Sequence, residues 1–285
     1  MATDIQAKVQ LRRMTAEDLA AAHELSREQK WPHRIEDWDM MFALGSGYVA
    51  EVGGDVIGTA MSWLYGDDAA TLGMVIVSPK TQGMGIGRRL MDAVLDDLGD
   101  RTVMLNATDE GLPLYRKMGF EPIGPIFQHQ GAAFTVPMAE LIPDERVRPL
   151  GSKDMDTLRT LARRATGMNR DRLLDMLVPG AQGVVLTRSN EPMGFSLFRR
   201  FGRGYVVGPT IAPDTGGAKA LISHWLGSNS GIFCRLDVPE ESGLSGWLDE
   251  LGLPCVGRVI RMTRGQHPKA DPDIRIFSLT TQALG

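Results

Sequence analysis

The sequence predicts a mixed α/β fold laid down twice in tandem, on three observations. Thr71–Val77, rich in β-branched residues, reads as a buried strand that Ser78-Pro79 ends, because proline offers no N–H to a ladder. Gln82-Gly83-Met84-Gly85-Ile86-Gly87 follows and opens a helix. The first half as a whole runs β-α-α-β-β-β-α-β-α-β, the order of a mixed sheet with helices, and the second half repeats it at a constant spacing of 136 residues.

The elements of the first half follow from local pattern. Val9–Arg13 alternates and opens the fold as a strand. Thr15 is the expected N-cap of a first helix, with Asp18 near the positive end of its dipole and Leu19, Ala22, His23 and Leu25 at helical spacing. Trp31 to Trp38, broken by Pro32, covers a loop and the start of a second helix that ends near Leu44. Tyr48–Val52 and Val56–Trp63 form a hairpin about Gly53-Gly54-Asp55. After the strand at 71–77, Leu90, Met91, Val94, Leu95 and Leu98 give the next helix one apolar face. Arg101–Ala107 is a strand, Leu112–Met118 a short helix closed by Gly119, and Phe120 leads into a last strand.

A strand, a glycine-rich turn and a helix N-terminus make an anion site. Free backbone N–H groups converge there, the dipole is positive, and glycines keep Cβ atoms out of the way. Two nucleotide readings fail. A P-loop needs Lys and then Ser or Thr after its last glycine, and the chain reads Gly87-Arg88-Arg89. A dinucleotide fingerprint begun at Gly85 needs Gly or Ala where Leu90 stands.

The pattern that fits is Val-x-Pro-x-x-Gln-x-x-Gly-x-Gly, carried by Val77, Pro79, Gln82, Gly85 and Gly87. It resembles the CoA pyrophosphate loop of the GNAT superfamily of acyl-CoA-dependent N-acyltransferases. A second signature of that family, Leu-Tyr-x-x-x-Gly-Phe, is matched by Leu114, Tyr115, Gly119 and Phe120. The resemblance covers residues 8–135 and implies a sheet splayed at a bulged strand 71–77, with the pantetheine arm of acetyl-CoA in the opening. It implies that backbone groups of Val75, Ile76 and Val77 line that arm, and that Gln82, Gly83, Met84, Gly85, Ile86, Gly87 and Arg88 hold the pyrophosphate. It places Tyr115 at the thioester sulfur as general acid, a role open to a phenol only when it is positioned and tuned. Asn106, at a strand end, either orients a water or the pantetheine or caps a turn.

The general base is not legible. The strand Thr71–Val77 has no Asp, Glu or His, and Glu51, Asp67, Asp68, Glu36 and His33 are candidates by type alone, so a relay through ordered water is expected. Trp31, Glu36 and Trp63 are the candidate acceptor-binding residues, with core packing the competing reading for the tryptophans, Trp38 included.

In the second half Arg12 meets Arg148, Asp18 meets Asp154, Gly47 meets Gly183 and Gly58 meets Gly194. Later anchors drift, Pro79 falling on Pro213 and Gly119 on Gly252. The chemistry is lost there: Asp214-Thr215-Gly216-Gly217-Ala218-Lys219 lacks the Gln and the Gly-x-Gly spacing, and Leu248 replaces Tyr115. Phe201–Tyr205 reads as an exposed segment facing the acceptor. The expected domains are a catalytic one at 1–143 and a degenerate one at 144–285, split near Ile142-Pro143.

Composition bounds the rest. A chain of 285 residues suggests about two domains, and 43% hydrophobic with 23% charged residues lets each half bury a core. A net charge of −4 argues against nucleic acid. Cys234 and Cys255, without clustered His, make neither a zinc site nor a disulfide framework, so no metal is expected. The start MATDIQAKVQL has no basic-then-apolar leader and no run approaches about 18 apolar residues, so a cytoplasmic protein without membrane contact is expected. The expected activity is transfer of the acetyl group of acetyl-CoA to a small-molecule primary amine, directly in a ternary complex, by a monomer or homodimer. A protein lysine or N-terminus as acceptor and a non-catalytic acyl-CoA sensor are the alternatives.

Overall fold

The computed structural model describes residues 9–137 and 139–285; the leader reading of residues 1–8 lies outside them. The first half contains β1 (Gln10–Arg13), α1 (Leu19–Glu28), α2 (Ile35–Leu44), β2 (Ser46–Val52), β3 (Asp55–Tyr65), β4 (Ala69–Val77), α3 (Ile86–Leu98), β5 (Thr102–Ala107), α4 (Leu112–Lys117) and β6 (Glu121–Ala132). The second half repeats that order: β7 (Glu145–Pro149), α5 (Met155–Thr166), α6 (Asp171–Leu177), β8 (Gln182–Arg188), β9 (Glu191–Phe201), β10 (Gly204–Ala212), α7 (Thr215–Ser228), β11 (Phe233–Pro239), α8 (Ser245–Glu250) and β12 (Cys255–Arg264). One further strand, β13 (Arg275–Ser278), has no counterpart among the described elements of the first half.

The duplication read from spacing is therefore present element for element, and it extends to side chains. β3 and β9 bury the same positions in the same order along eleven residues. The Arg12 guanidinium grips Asp18 through two bonds of 2.8 and 2.7 Å, and Arg148 grips Asp154 the same way at 2.7 and 2.8 Å. Asp18 also accepts the Thr15 N–H at 2.8 Å, and Asp154 that of Gly151 at 2.7 Å. Residues 16–18 form a 3-10 turn ahead of α1, so Asp18 serves an arginine as well as the helix start expected of it.

Contacts group the chain into two units, Met1–Met104 with Phe201–Arg203, and Leu105–Arg200 with Gly204–Gly285. In the first, β1, β2, β3 and β4 are antiparallel neighbours and β5 runs parallel to β4. Its core gathers Trp38, Met41, Trp63, Leu72, Ile76, Ile86, Leu90 and Met91, so the α3 face predicted by period is buried against the sheet. In the second unit the strand order is β12-β6-β11-β10-β9-β8-β7, with β13 on β10. β6 belongs there because it is hydrogen-bonded on one side to β11 and on the other to β12. Its core packs Leu221, Ile222 and Trp225 of α7 against Leu186, Phe198, Val207, Leu236 and Phe277. Among the described residues, no helix is long and apolar enough to cross a membrane.

One expectation is corrected by packing. Phe201 and Gly202 are buried, and only Arg203 of that turn is exposed. The Phe201 ring stands edge-on to His33 with centroids 5.7 Å apart, and the Gly202 N–H donates to Asp37 at 2.9 Å. The aromatic ring and the Gly202–Asp37 hydrogen bond hold that part of the turn under cover.

Candidate active site

In the first unit, β4 leaves β5 early. Among the described residues, only Ala69–Thr71 pair with Thr102–Met104, and β4 has no other strand neighbour on that side. On its other side β4 pairs with β3, and the register shifts between Thr59 and Met61. The extra residue is Met74, whose φ of 51° is unusual for a side chain other than glycine. Thr59, fully buried, donates its hydroxyl to the Met74 carbonyl at 2.7 Å and so satisfies the bulge. Ile76 turns into the core, and Val75 and Val77 are half-buried along the open edge. The Val77 carbonyl already accepts the side-chain amides of Gln82 at 3.2 Å and Gln29 at 3.4 Å, which leaves a ligand on that edge to the remaining backbone groups.

Beyond β4, Pro79–Thr81 make a 3-10 turn and the glycine loop follows. Gly83 and Gly85 have φ of 79° and 73°, and a Cβ on either would meet nothing within 4 Å. Gly85 is the N-cap of α3 and provides no side-chain cap. The first recorded helical bond there runs from the Arg89 N–H to the Gly85 carbonyl at 3.1 Å. The N–H groups of Ile86, Gly87 and Arg88 therefore have no acceptor within the helix. The first turn contains no acid and carries Arg88 and Arg89, the wrong charge for the positive end of a helix dipole by itself. An anion at that end reverses the sign of the arrangement, and the residues present fit a pyrophosphate.

The corresponding turn of the second half is closed. Asp214 caps α7 by accepting the Gly217 N–H at 2.8 Å, so a carboxylate of the chain sits where a phosphate would. Leu248 is fully buried and brings no hydroxyl.

Tyr115 and Asn106 lie in the second unit. Tyr115 is on α4, its ring edge-on to Phe120 at 6.1 Å, and burial pushes its phenol up to about 12. A Cβ at Gly111 would collide with the Tyr115 ring, which accounts for the glycine that starts α4. Asn106 donates its amide N–H to the Gln282 carbonyl at 2.6 Å, while its Oδ1 is buried with no partner among the described residues. One face of this amide is structural and the other is left to accept.

The other candidates separate by burial. Trp63 is only 2% exposed and donates its indole N–H to the Met41 carbonyl at 2.8 Å; it is a core residue with no face for an acceptor, contrary to its assignment by type. Trp38 is likewise core, donating to Ser26 at 3.2 Å. Trp31 is half-buried beside His33, and Glu36 is exposed in the first turn of α2 with Arg34 3.8 Å away. Glu51 is paired with Arg12 at 2.8 Å, and Asp67 and Asp68 are exposed in a turn. Thr59 and Asp37 had no signal in the sequence, since a lone Thr in a strand and a lone Asp in a helix say nothing of a bulge or a docked turn. Among the described residues, no group of three or more His, Cys, Asp or Glu could hold a metal ion.

Comparison with known proteins gives the family of both halves. Two family models, each described as an acetyltransferase (GNAT) domain, match residues 10–141 and 158–278. An uncharacterized N-acetyltransferase of Bacillus subtilis, YitH, is 27% identical over 250 residues, 82% of this chain and 83% of that protein. The holothin acyltransferase of a Pseudoalteromonas species is 22% identical over 276 residues, 94% of this chain and 92% of that protein. Among solved structures, an acetyltransferase candidate from Pyrococcus horikoshii superposes with a TM-score of 0.79 at 19% identity, covering 98% of this chain and 96% of its own.

Proposed function

The chain belongs to the GNAT acetyltransferase family, with two of its domains in tandem, and on that premise we propose that its first half moves the acetyl group of acetyl-CoA to a primary amine of a small molecule. The observation that carries this reading is the uncapped N-terminus of α3 behind Gly83 and Gly85, next to the open edge of β4. The amides of residues 86–88 and the Arg88 side chain take the pyrophosphate, and the free backbone of Val75 and its neighbours takes the pantetheine. The acceptor class is supported by the name of the Pseudoalteromonas relative, an acyltransferase acting on holothin.

Transfer is direct. The amine attacks the thioester carbonyl, the C–S bond breaks, and the amine's proton leaves through ordered water. Burial pushes the Cys234 thiol up to about 12, which makes it a poor candidate for an acyl-enzyme intermediate. Tyr115, carried over from the family signature, donates to the departing sulfur. With its phenol near 12, full transfer of a proton to a thiolate of about 8.5 is uphill by about 5 kcal/mol. The phenol therefore stays protonated throughout the working pH range and stabilises the thiolate by a hydrogen bond that strengthens as charge develops.

Release of CoA thiol from acetyl-CoA, followed across a panel of small primary amines, tests this reading. Tyr115→Phe is expected to lower turnover by about 10²–10³-fold at unchanged affinity for acetyl-CoA. Equal rates in the two proteins would remove Tyr115 from the mechanism, and no amine-dependent release would remove the reaction.

A further inference from the structure

The second half has the same opening in its sheet as the first, and the chain fills it with itself. β10 and β11 are parallel and pair only at Tyr205–Cys234 and Val206–Arg235, as β4 and β5 pair only at their first residues. Past that point β13 enters antiparallel to β10, with Thr210 opposite Ser278, Ile211 opposite Ile276 and Ala212 opposite Arg275. β4 starts at residue 69 and β10 at residue 204, a spacing of 135, so Thr210, Ile211 and Ala212 are the counterparts of Val75, Ile76 and Val77. Those are the three residues whose backbone lines the pantetheine in the reading of the first half.

The filling segment is held on both walls. The Leu279 N–H donates to the Asp237 carbonyl of β11 at 2.8 Å. Ser278 donates its hydroxyl to the Val207 carbonyl at 2.7 Å and lies 3.0 Å from the Thr210 hydroxyl, which in turn is 2.8 Å from that of Ser196. All three hydroxyl residues are fully buried, as is Phe277. Gly208 lies so close to the strand that a Cβ there would overlap the Leu279 carbonyl. At the other end of the groove, Asp214 already occupies the helix N-terminus.

We propose that residues 274–279 are an intramolecular ligand: they take, in the second half, the backbone edge that the pantetheine of acetyl-CoA takes in the first, and together with Asp214 they close the second cofactor groove. This rests on the acyl-CoA reading of the first half. The closed groove explains how the second half keeps a splayed sheet with no cofactor to satisfy its exposed edge, since a buried strand edge without partners is costly. The second half is then a self-liganded copy, and the chain has one acyl-donor site.

Amide hydrogen exchange on the full chain, with and without saturating CoA, separates the two claims by segment. Amides of 275–279 should exchange slowly in both states, and those of 82–89 should slow on adding CoA. Fast exchange at 275–279 in the free protein, or its release by CoA, would overturn the intramolecular ligand; unchanged exchange at 82–89 would overturn the donor reading instead. Gly208→Ala should speed exchange at 275–279 by about tenfold while CoA still protects 82–89. An unchanged rate at 275–279 in that variant would count against a seated strand.

Discussion

Gly85→Asp puts a carboxylate at the N-cap of α3, the position that Asp214 holds in α7. Asp214 shows the geometry: its Oδ1 lies 2.8 Å from the N–H of the third residue on, the place a phosphate oxygen would need. A carboxylate and a phosphate sharing that cradle would stand about 4 Å apart, where two unit charges repel by about 4 kcal/mol at an effective dielectric near 20. That corresponds to a loss of about 10³-fold in affinity for CoA. Stability should fall by about 1 kcal/mol at most, because Asp tolerates the left-handed backbone that Gly85 adopts at φ 73° better than most side chains do. Gly85→Ala makes the contrast. It carries no charge, its Cβ meets nothing within 4 Å, and its cost is about 1–2 kcal/mol of backbone strain, seen as a lower melting temperature. Calorimetric titration with CoA, run beside thermal unfolding, reads both quantities. If Gly85→Asp bound CoA as tightly as the parent protein, the uncapped helix would not be the phosphate site.

Other expectations follow from the same geometry. Arg12 holds the Asp18 carboxyl below the ordinary carboxylate range by its hydrogen bonds, and Arg148 does the same for Asp154. A carboxyl depressed on folding adds stability that is present above its unfolded value, about 4, and lost as pH falls through the folded one. Melting temperature should therefore drop below about pH 4, less steeply in Asp18→Asn than in the parent; parallel curves would contradict the assignment. Asp18→Asn itself should cost about 2 kcal/mol at neutral pH, read by urea unfolding. Lys30, the residue after the C-cap of α1, has φ 60°, so Lys30→Gly should raise stability by about 1 kcal/mol, and no rise in melting temperature would refute the strain. Thr59→Val leaves the carbonyl at the β4 bulge without its donor and should cost about 1–3 kcal/mol and weaken CoA binding, both read in one titration and melt series.

Much of the fold was legible because its signals are local. The apolar face of α3, the glycine pair of the loop, Pro113 and Gly119 around α4, and the repeat spacing each need only a short window of sequence. What was not legible depends on distant partners. The bulge sits at Met74, a residue with no preference for a left-handed backbone, and is stabilised by Thr59 on the neighbouring strand. Trp31 and Trp63 look alike by composition, yet only Trp63 is sealed in the core with its N–H satisfied. Phe201-Gly202-Arg203 has the polarity of a surface turn, yet Phe201 and Gly202 are buried because His33 and Asp37 receive them. β13 is four residues long and has no strand signal strong enough to find; the strand it pairs with, β10, lies more than sixty residues earlier in the chain. For the candidate site, the glycine-rich turn could be read from its own residues, whereas the hydrogen bond that fixes Asn106 to Gln282 could not.

The central claim is one working acyl-donor site in a chain that contains the fold twice. Titration of acetyl-CoA into the purified protein, with stoichiometry as the readout, tests it most directly. One molecule bound per chain is the predicted result. Two per chain would mean that neither β13 nor Asp214 closes the second half, and none would remove the donor site from the first.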